Sequence, residues 1–204
     1  MADGRDLIED APEEIRGLAE RCVLHVRHRL GFELDYSVDT ISVLDHFVSS
    51  VLTEEGEGEA PPPGHSRRSA AMHLLAPTIG AYFGETIRRA FPCRWRFASG
   101  AAHLWVLEFE EVFLRFNPAG VAAEALFGEP FEGWSGALVT APELTAVVHE
   151  RLAAAPPIPE DEFFTFAARH EALQIVEDYL RERAARYGAI GCAPADYDRL
   201  LETN

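Results

Sequence analysis

The residues of this chain that are best suited to chemistry lie in and after one apolar segment, residues 74–91. Gly80 and Gly84 are four positions apart, which places them on the same face of a helix. A glycine inside a helix costs about 1 kcal/mol relative to alanine, so this pair indicates that another group approaches the helix closely. If that group is a ligand, a small-molecule or catalytic site lies between residues 78–90 and the sheet that follows. The side chains that would line this site are Tyr82, Glu85, Trp95, Arg115 and Asn117.

Three of these polar residues also have a structural explanation. Glu85 precedes two arginines by three and four positions, the spacing of an ion pair within a helix. Asn117 stands directly before a proline, which is the pattern of a helix N-cap followed by the first helical residue. Arg115 can pair across strands with Glu108. Because these explanations require no reaction, we favour a protein without catalytic residues.

A second group of candidates lies in the loop predicted over residues 128–139. The order Gly-Trp-Ser-Gly around Ser135 resembles a nucleophile elbow, but such an elbow needs a strand before it and a helix directly after it. Pro130 precedes this segment, and the next helix signal comes only at Thr140. We therefore predict no nucleophile here. Aromatic residues in a loop are frequent anchors of protein interfaces, so Phe131 and Trp134 are the predicted partner-binding residues.

The histidines do not predict a metal site. His25 and His28 are three positions apart, but no carboxylate has the spacing to complete a ligand set with them. His170 and Glu177 follow the edge of a helical apolar stripe, where a boundary with solvent explains them. We predict neither a metal nor another cofactor.

The charge of the chain limits its partners. The formal net charge is −16 in 204 residues, and all 18 basic residues counted as lysine or arginine are arginines. Without lysine, Schiff-base chemistry and a phosphate-binding Walker lysine are excluded. A surface this acidic repels a phosphate backbone, so nucleic acid is not an expected partner. It attracts a basic protein or a cation instead.

Length and composition indicate one domain in a reducing compartment. A chain of 204 residues with 48% hydrophobic residues is the size of a single globular domain. No apolar run has the length of a membrane span, and the acidic N-terminal segment differs from a signal peptide. The three cysteines are far apart and odd in number, which favours buried thiols over disulfides. We expect a cytoplasmic protein that does not insert into membranes.

Periodicity and capping signals predict a mostly helical α+β domain. Three short runs, residues 93–97, 103–109 and 112–116, predict a three-stranded antiparallel meander packed on a central buried helix. That helix is expected to begin or kink near Pro77. The acidic and proline-rich stretch over residues 53–66 is expected to be a flexible excursion. The other predicted helices cover residues 7–30, 38–52, 118–127, 140–155, 159–187 and 194–201.

Three local motifs resemble those of a family of bacterial proteins of unknown function. They are LDYS at residues 34–37, GAYFGE at residues 80–85, and FNPAG followed by FGEP within residues 116–130. Members of that family carry a DYS turn, a GAY-x-GE helix and an NP turn after a short sheet. The resemblance covers residues 30–130. It implies the architecture described above and transfers no catalytic residue.

The sequence thus predicts a non-enzymatic, acidic, cytoplasmic interaction domain that binds a protein partner, in an immunity-type or regulatory role. The alternative is a small-molecule or catalytic site between residues 78–90 and the sheet.

Overall fold

A computed structural model of the chain describes residues 11–55, 67–188 and 191–202. The helices in this part of the chain are α1 (Glu13–Leu30), α2 (Ile41–Glu55), α3 (Arg67–Ala90), α4 (Pro118–Phe127), α5 (Thr145–Ala153), α6 (Phe166–Tyr187) and α7 (Pro194–Glu202). The strands are β1 (Cys93–Arg96), β2 (Val106–Phe109), β3 (Leu114–Phe116) and β4 (Val139–Thr140). The predicted class, mostly helical α+β with a small antiparallel sheet, is confirmed.

The sheet has four strands, so the prediction of three was wrong. It runs in the order β1-β2-β3-β4, and β4 pairs with β3 through Leu114 opposite Thr140 and Arg115 opposite Val139. A strand of two residues shows no alternation in the sequence, and Thr140, where the sequence predicts the start of a helix, lies in this strand. Its hydroxyl instead donates a hydrogen bond to the carbonyl oxygen of Phe113 at 3.1 Å. Helix α5 begins five residues later, after a 3-10 turn at Pro142–Leu144.

The predicted strands are also shorter in the structure. A 3-10 turn at Ala102–Leu104 occupies the beginning of the segment predicted as the second strand. The first predicted strand, 93–97, ends one residue earlier, at Arg96. The third, 112–116, begins two residues later, at Leu114.

Helix α3 is the central buried element. It packs chiefly against α4 and α1, and its side chains from Thr78 to Arg88 are buried. The helix continues through Pro77, so the first of the two predicted alternatives, a start near Pro77, was wrong. A proline inside a helix costs about 3 kcal/mol, and the burial of the following turns outweighs that cost.

Helix α1, which the sequence predicts over residues 7–30, has one buried apolar face. Ile15, Ala19, Cys22 and Val26 are buried, and the helix ends at Gly31 with a φ of 74°. Its predicted first residues, 7–10, lie outside the described residues. Gly31 has no side chain to resist the left-handed conformation, which is why the helix stops here.

The start of α2 and the excursion after it differ from the prediction. The helix predicted from residue 38 begins at Ile41, because a 3-10 turn at Val38–Thr40 precedes it. The Ser37 N–H donates to Asp35 Oδ1 at 2.9 Å. An aspartate side chain commonly stabilises a turn by accepting a hydrogen bond from the backbone N–H group two residues later, as Asp35 does here. Residues 53–55 of the predicted excursion are helical, and residues 56–66 lie outside the described residues.

Helix α6 begins later than predicted. The acidic residues Glu160–Glu162 form a separate 3-10 turn, and Thr165 is the N-cap, accepting from Ala168 N at 3.1 Å. Asp45 of α2 accepts from the backbone N–H groups of Phe166 and Ala167 at 2.7 and 3.1 Å. These side chains satisfy the first donors of the helix, so the helix starts where they are available.

The tail helix α7, which was predicted as a short helix, covers one face of the sheet. The Tyr197 hydroxyl is 2.8 Å from the carbonyl oxygens of both Phe109 and Leu114, and it accepts from Leu114 N at 3.1 Å. Asp198 pairs with Arg96 of β1 at 2.8 Å. The sheet is therefore enclosed between α3 and α7. Within residues 11–55, 67–188 and 191–202, none of the helices combines the length and apolar composition of a membrane span.

Candidate functional site

The face of α3 that carries the two glycines contacts other parts of the protein. A Cβ atom added to Gly80 would lie 2.5 Å from Ala119 Cα and 2.8 Å from the Pro118 carbonyl oxygen, both in α4. A Cβ added to Gly84 would overlap the indole ring of Trp95. The close approach that the glycines predicted is therefore made by the α4 backbone and by Trp95.

Glu85 is buried beside these glycines and is fully engaged. Its residue is 1% exposed, and its carboxylate accepts from Arg88 Nε at 2.9 Å and from Trp95 Nε1 at 2.6 Å. Burial raises the pKa of Glu85, and the neighbouring Arg88 opposes this shift. Arg89 turns away from Glu85, donating to the Asp35 carbonyl oxygen at 2.8 Å and lying over the Tyr36 ring.

Tyr82 holds the turn before α2 against α3. Its residue is fully buried, and its hydroxyl accepts from Tyr36 N at 3.0 Å and lies 2.9 Å from Thr40 Oγ1. Burial raises the pKa of Tyr82 above its usual value. The hydroxyl thus joins the DYS turn to the GAYFGE helix, which are two of the three motifs that carry the family resemblance.

Asn117 caps α4 as its sequence context predicts. Its Oδ1 accepts from Ala119 N and Gly120 N at 2.8 and 3.0 Å. Its amide nitrogen donates to the carbonyl oxygens of Ala102 and His103 at 3.1 and 2.8 Å. All of the amide's strong bonding directions are therefore used within the fold.

Arg115 lies on the sheet face with Glu108, and not with Glu85. Glu108 is the cross-strand partner of both Arg115 and Arg94. The Glu108 carboxylate binds Arg96 Nε at 2.5 Å and Arg94 Nη2 at 3.3 Å. Burial lowers the pKa of Arg115, and Glu108 opposes this shift. Of the five side chains predicted to line a ligand site, only Glu85 and Trp95 are joined by a hydrogen bond.

The described residues contain no group of three or more His, Cys, Asp or Glu side chains placed to hold a metal ion. His25 and His28 are both exposed on α1. His170 Nε2 is buried with no hydrogen-bond partner in the described part of the chain, and burial lowers the pKa of His170. Its ring packs near that of Phe91, with 6.1 Å between centroids.

An open groove forms where Trp134 meets two histidines, and we call it the Trp134 groove. The indole lies 5.9 Å from the imidazole of His73 on α3 and 5.9 Å from that of His103, measured between ring centroids. The cavity has a volume of about 460 Å³ and is also lined by Glu14, Leu18, Arg21, Leu74, Pro77, Thr78, Gly100, Ala102 and Trp105. Phe131, the other predicted partner-binding residue, packs its ring on Phe127 with 4.4 Å between centroids.

A second groove, which the sequence did not predict, lies between α5 and α6, and we call it the α5–α6 groove. Its volume is about 590 Å³, and its lining is mostly apolar. Arg169 on its wall pairs with the buried Glu124 of α4 at 2.8 Å, and Glu124 also accepts from Gly136 N at 2.8 Å. The Pro156-Pro157 pair and the adjacent apolar Ile158 were the available signals for an apolar surface here.

Comparisons of the chain with models of known protein families, with curated proteins and with solved structures find no match.

Proposed function

We propose that this protein is a non-enzymatic, acidic interaction domain that binds a basic protein partner through the Trp134 groove. An immunity-type or regulatory role is the concrete form of this proposal. A cytoplasmic setting suits the three unpaired cysteines, all of which are buried.

The observation that carries the proposal is the hydrogen bonding of the Trp134 indole compared with that of the other two tryptophans. Trp95 donates its indole N–H to Glu85 at 2.6 Å, and Trp105 donates to the Ala98 carbonyl oxygen at 2.8 Å. Trp134 is half-buried, and its indole N–H has no hydrogen-bond partner within the described residues. A tryptophan that is held in place by neighbouring rings and keeps a free donor is well suited to anchor a partner.

The surroundings of Trp134 supply apolar contact area and charge. Leu74 on the groove wall is 74% exposed, so it offers apolar contact area beside the aromatic cluster. Glu14 lines the same groove and is positioned by Ser99 Oγ at 2.8 Å. With a net charge of −16, the protein attracts a basic partner over distances beyond direct contact.

The alternative function, a small-molecule or catalytic site between residues 78–90 and the sheet, has no specific observation in its favour. Tyr82, Glu85 and Asn117 are engaged in the hydrogen bonds described above. The α4 backbone and the Trp95 ring lie against Gly80 and Gly84, where such a ligand would need to enter.

The experiment is an affinity capture from a lysate of the source cells with the wild-type protein, with Trp134→Ala and with Phe163→Ala. Phe163 is 55% exposed and lies outside the Trp134 groove, so it controls for loss of any exposed aromatic residue. We expect one protein captured in stoichiometric amount at low salt by the wild type and by Phe163→Ala, and its loss with Trp134→Ala. A partner that binds Trp134→Ala as well as the wild type would contradict the proposal.

A further inference from the structure

The α5–α6 groove has the size and lining of a small-molecule site. Its volume of about 590 Å³ lies within the range of roughly 300–1,000 Å³ that is usual for such sites, which are mostly apolar with a few polar groups. The exposed Phe163 also lines this groove. The apolar lining includes Leu138, Val148, Leu152, Ile158, Ala172 and Ile175.

Arg169 is the cation of this apolar groove, and one carboxylate leaves it incompletely paired. Its side chain is 17% exposed, and Nη2 contacts Glu124 Oε2 at 2.8 Å. Within the described part of the chain, this is the only hydrogen bond of its guanidinium group. A guanidinium has five N–H donors, so four remain for another acceptor. Burial lowers the pKa of Arg169, and the neighbouring Glu124 opposes this shift.

The carboxylate of Glu124 is shared between Arg169 and the loop that contains Gly136. Its other carboxylate oxygen accepts from Gly136 N at 2.8 Å, and Gly136 itself is packed against the backbone of Val121. The carboxylate is therefore fixed between a loop and the arginine. The free donors of Arg169 are best satisfied from the groove.

We propose that the α5–α6 groove binds an amphipathic carboxylic acid, with its hydrocarbon chain on the apolar lining and its carboxylate on the free N–H groups of Arg169. Arginine and carboxylate form short, charge-assisted hydrogen bonds, often two in parallel. This site is separate from the Trp134 groove, because the two cavities share no lining residue.

The other charged residues of the groove do not prevent this binding. Glu171 also lines the groove, but it is exposed on α6, so water screens its carboxylate. His149 is likewise exposed. The long-range repulsion from the acidic surface is reduced at an ionic strength of about 0.15 M, where the screening length is about 8 Å.

The test is isothermal titration calorimetry with decanoate and with decanol at an ionic strength of about 0.15 M. The two ligands have the same hydrocarbon chain and differ only in the head group. Hydrogen bonds to charged groups contribute about 1.5–3 kcal/mol, so we expect decanoate to bind at least about tenfold more tightly than decanol. The double variant Arg169→Gln with Glu124→Gln removes both charges together and avoids a buried unpaired carboxylate. It should lower the decanoate affinity to that of decanol.

Two further variants separate groove binding from general effects. Ala172→Phe fills the groove and should abolish binding of both ligands, whereas Ala185→Phe, which adds the same ring to an exposed position of α6 outside the groove, should leave both affinities unchanged. Far-UV circular dichroism confirms that each variant is folded. The proposal is overturned if decanoate and decanol bind equally, if neither binds, or if the double variant retains tight decanoate binding. It is also overturned if a basic amphipathic peptide occupies the groove and decanoate does not displace it.

Discussion

Substituting Gly80 by alanine tests the packing of α3 against α4. The added Cβ would lie 2.5 Å from Ala119 Cα, 2.7 Å from Ala119 N and 2.8 Å from the Pro118 carbonyl oxygen. All three are backbone atoms, so the clash is relieved only if the two helices separate. Overpacking of this kind costs about 1–3 kcal/mol, and three backbone contacts place Gly80→Ala at the upper end of that range. The better helix propensity of alanine returns about 1 kcal/mol, so the free energy of unfolding should fall by about 2 kcal/mol.

The matched control is Gly17→Ala in the second turn of α1. A Cβ at Gly17 has no atom within 4 Å, so only the helix propensity changes. This variant should raise the free energy of unfolding by about 0.5–1 kcal/mol. Urea denaturation followed by circular dichroism measures both variants in parallel. If Gly80→Ala were as stable as Gly17→Ala, the two helices would not be in close contact and the reasoning would be refuted.

Three further perturbations test individual contacts. Asn117→Ala removes the cap of α4 and should lower the free energy of unfolding by about 1–2 kcal/mol in the same assay; an unchanged value would mean that the cap is not formed. Glu108→Gln weakens the pairing with two arginines and should cost about 2 kcal/mol, less than for a fully buried pair because these arginines are partly exposed; a cost that disappears at low salt would contradict this. For His170, the folded pKa lies below the ordinary 6.5, so the folded state disfavours the charged imidazole. Relative to His170→Leu, the wild type should therefore lose stability as the pH falls from 6.5 towards the lowered pKa of the folded state. Denaturation midpoints of the two proteins between about pH 5 and 8 would show this loss. A difference in stability between the two proteins that stays constant with pH would refute the burial argument.

Features set by neighbours in sequence could be predicted, because capping and periodicity act over a few residues. The stripe of α1, its end at Gly31, the end of α6 at Gly188 and the Asn117 cap all follow such local rules. The glycines of α3 correctly indicated a close approach, but the sequence left open whether a ligand or the protein itself makes it.

Features set by long-range contacts could not be predicted. Strand β4 exists because β3 offers an edge, and two residues carry no strand pattern of their own. Arg169 and Glu124 are 45 positions apart, so no local spacing predicts their pair. Trp134 was recognised in its loop, but its two histidine neighbours come from α3 and from the connection before β2, and only the fold brings them together.

The most direct test of the account compares the affinity of the captured partner for Trp134→Ala and for Glu85→Gln. Both variants are measured by surface-based binding kinetics at a temperature at which circular dichroism shows them folded. Truncating a central interface tryptophan costs about 2 kcal/mol or more, so Trp134→Ala should weaken binding by at least about thirtyfold. Glu85→Gln should bind as the wild type does, because Glu85 is buried in contact with Arg88 and Trp95. Loss of binding with Glu85→Gln together with full binding by Trp134→Ala would contradict the account.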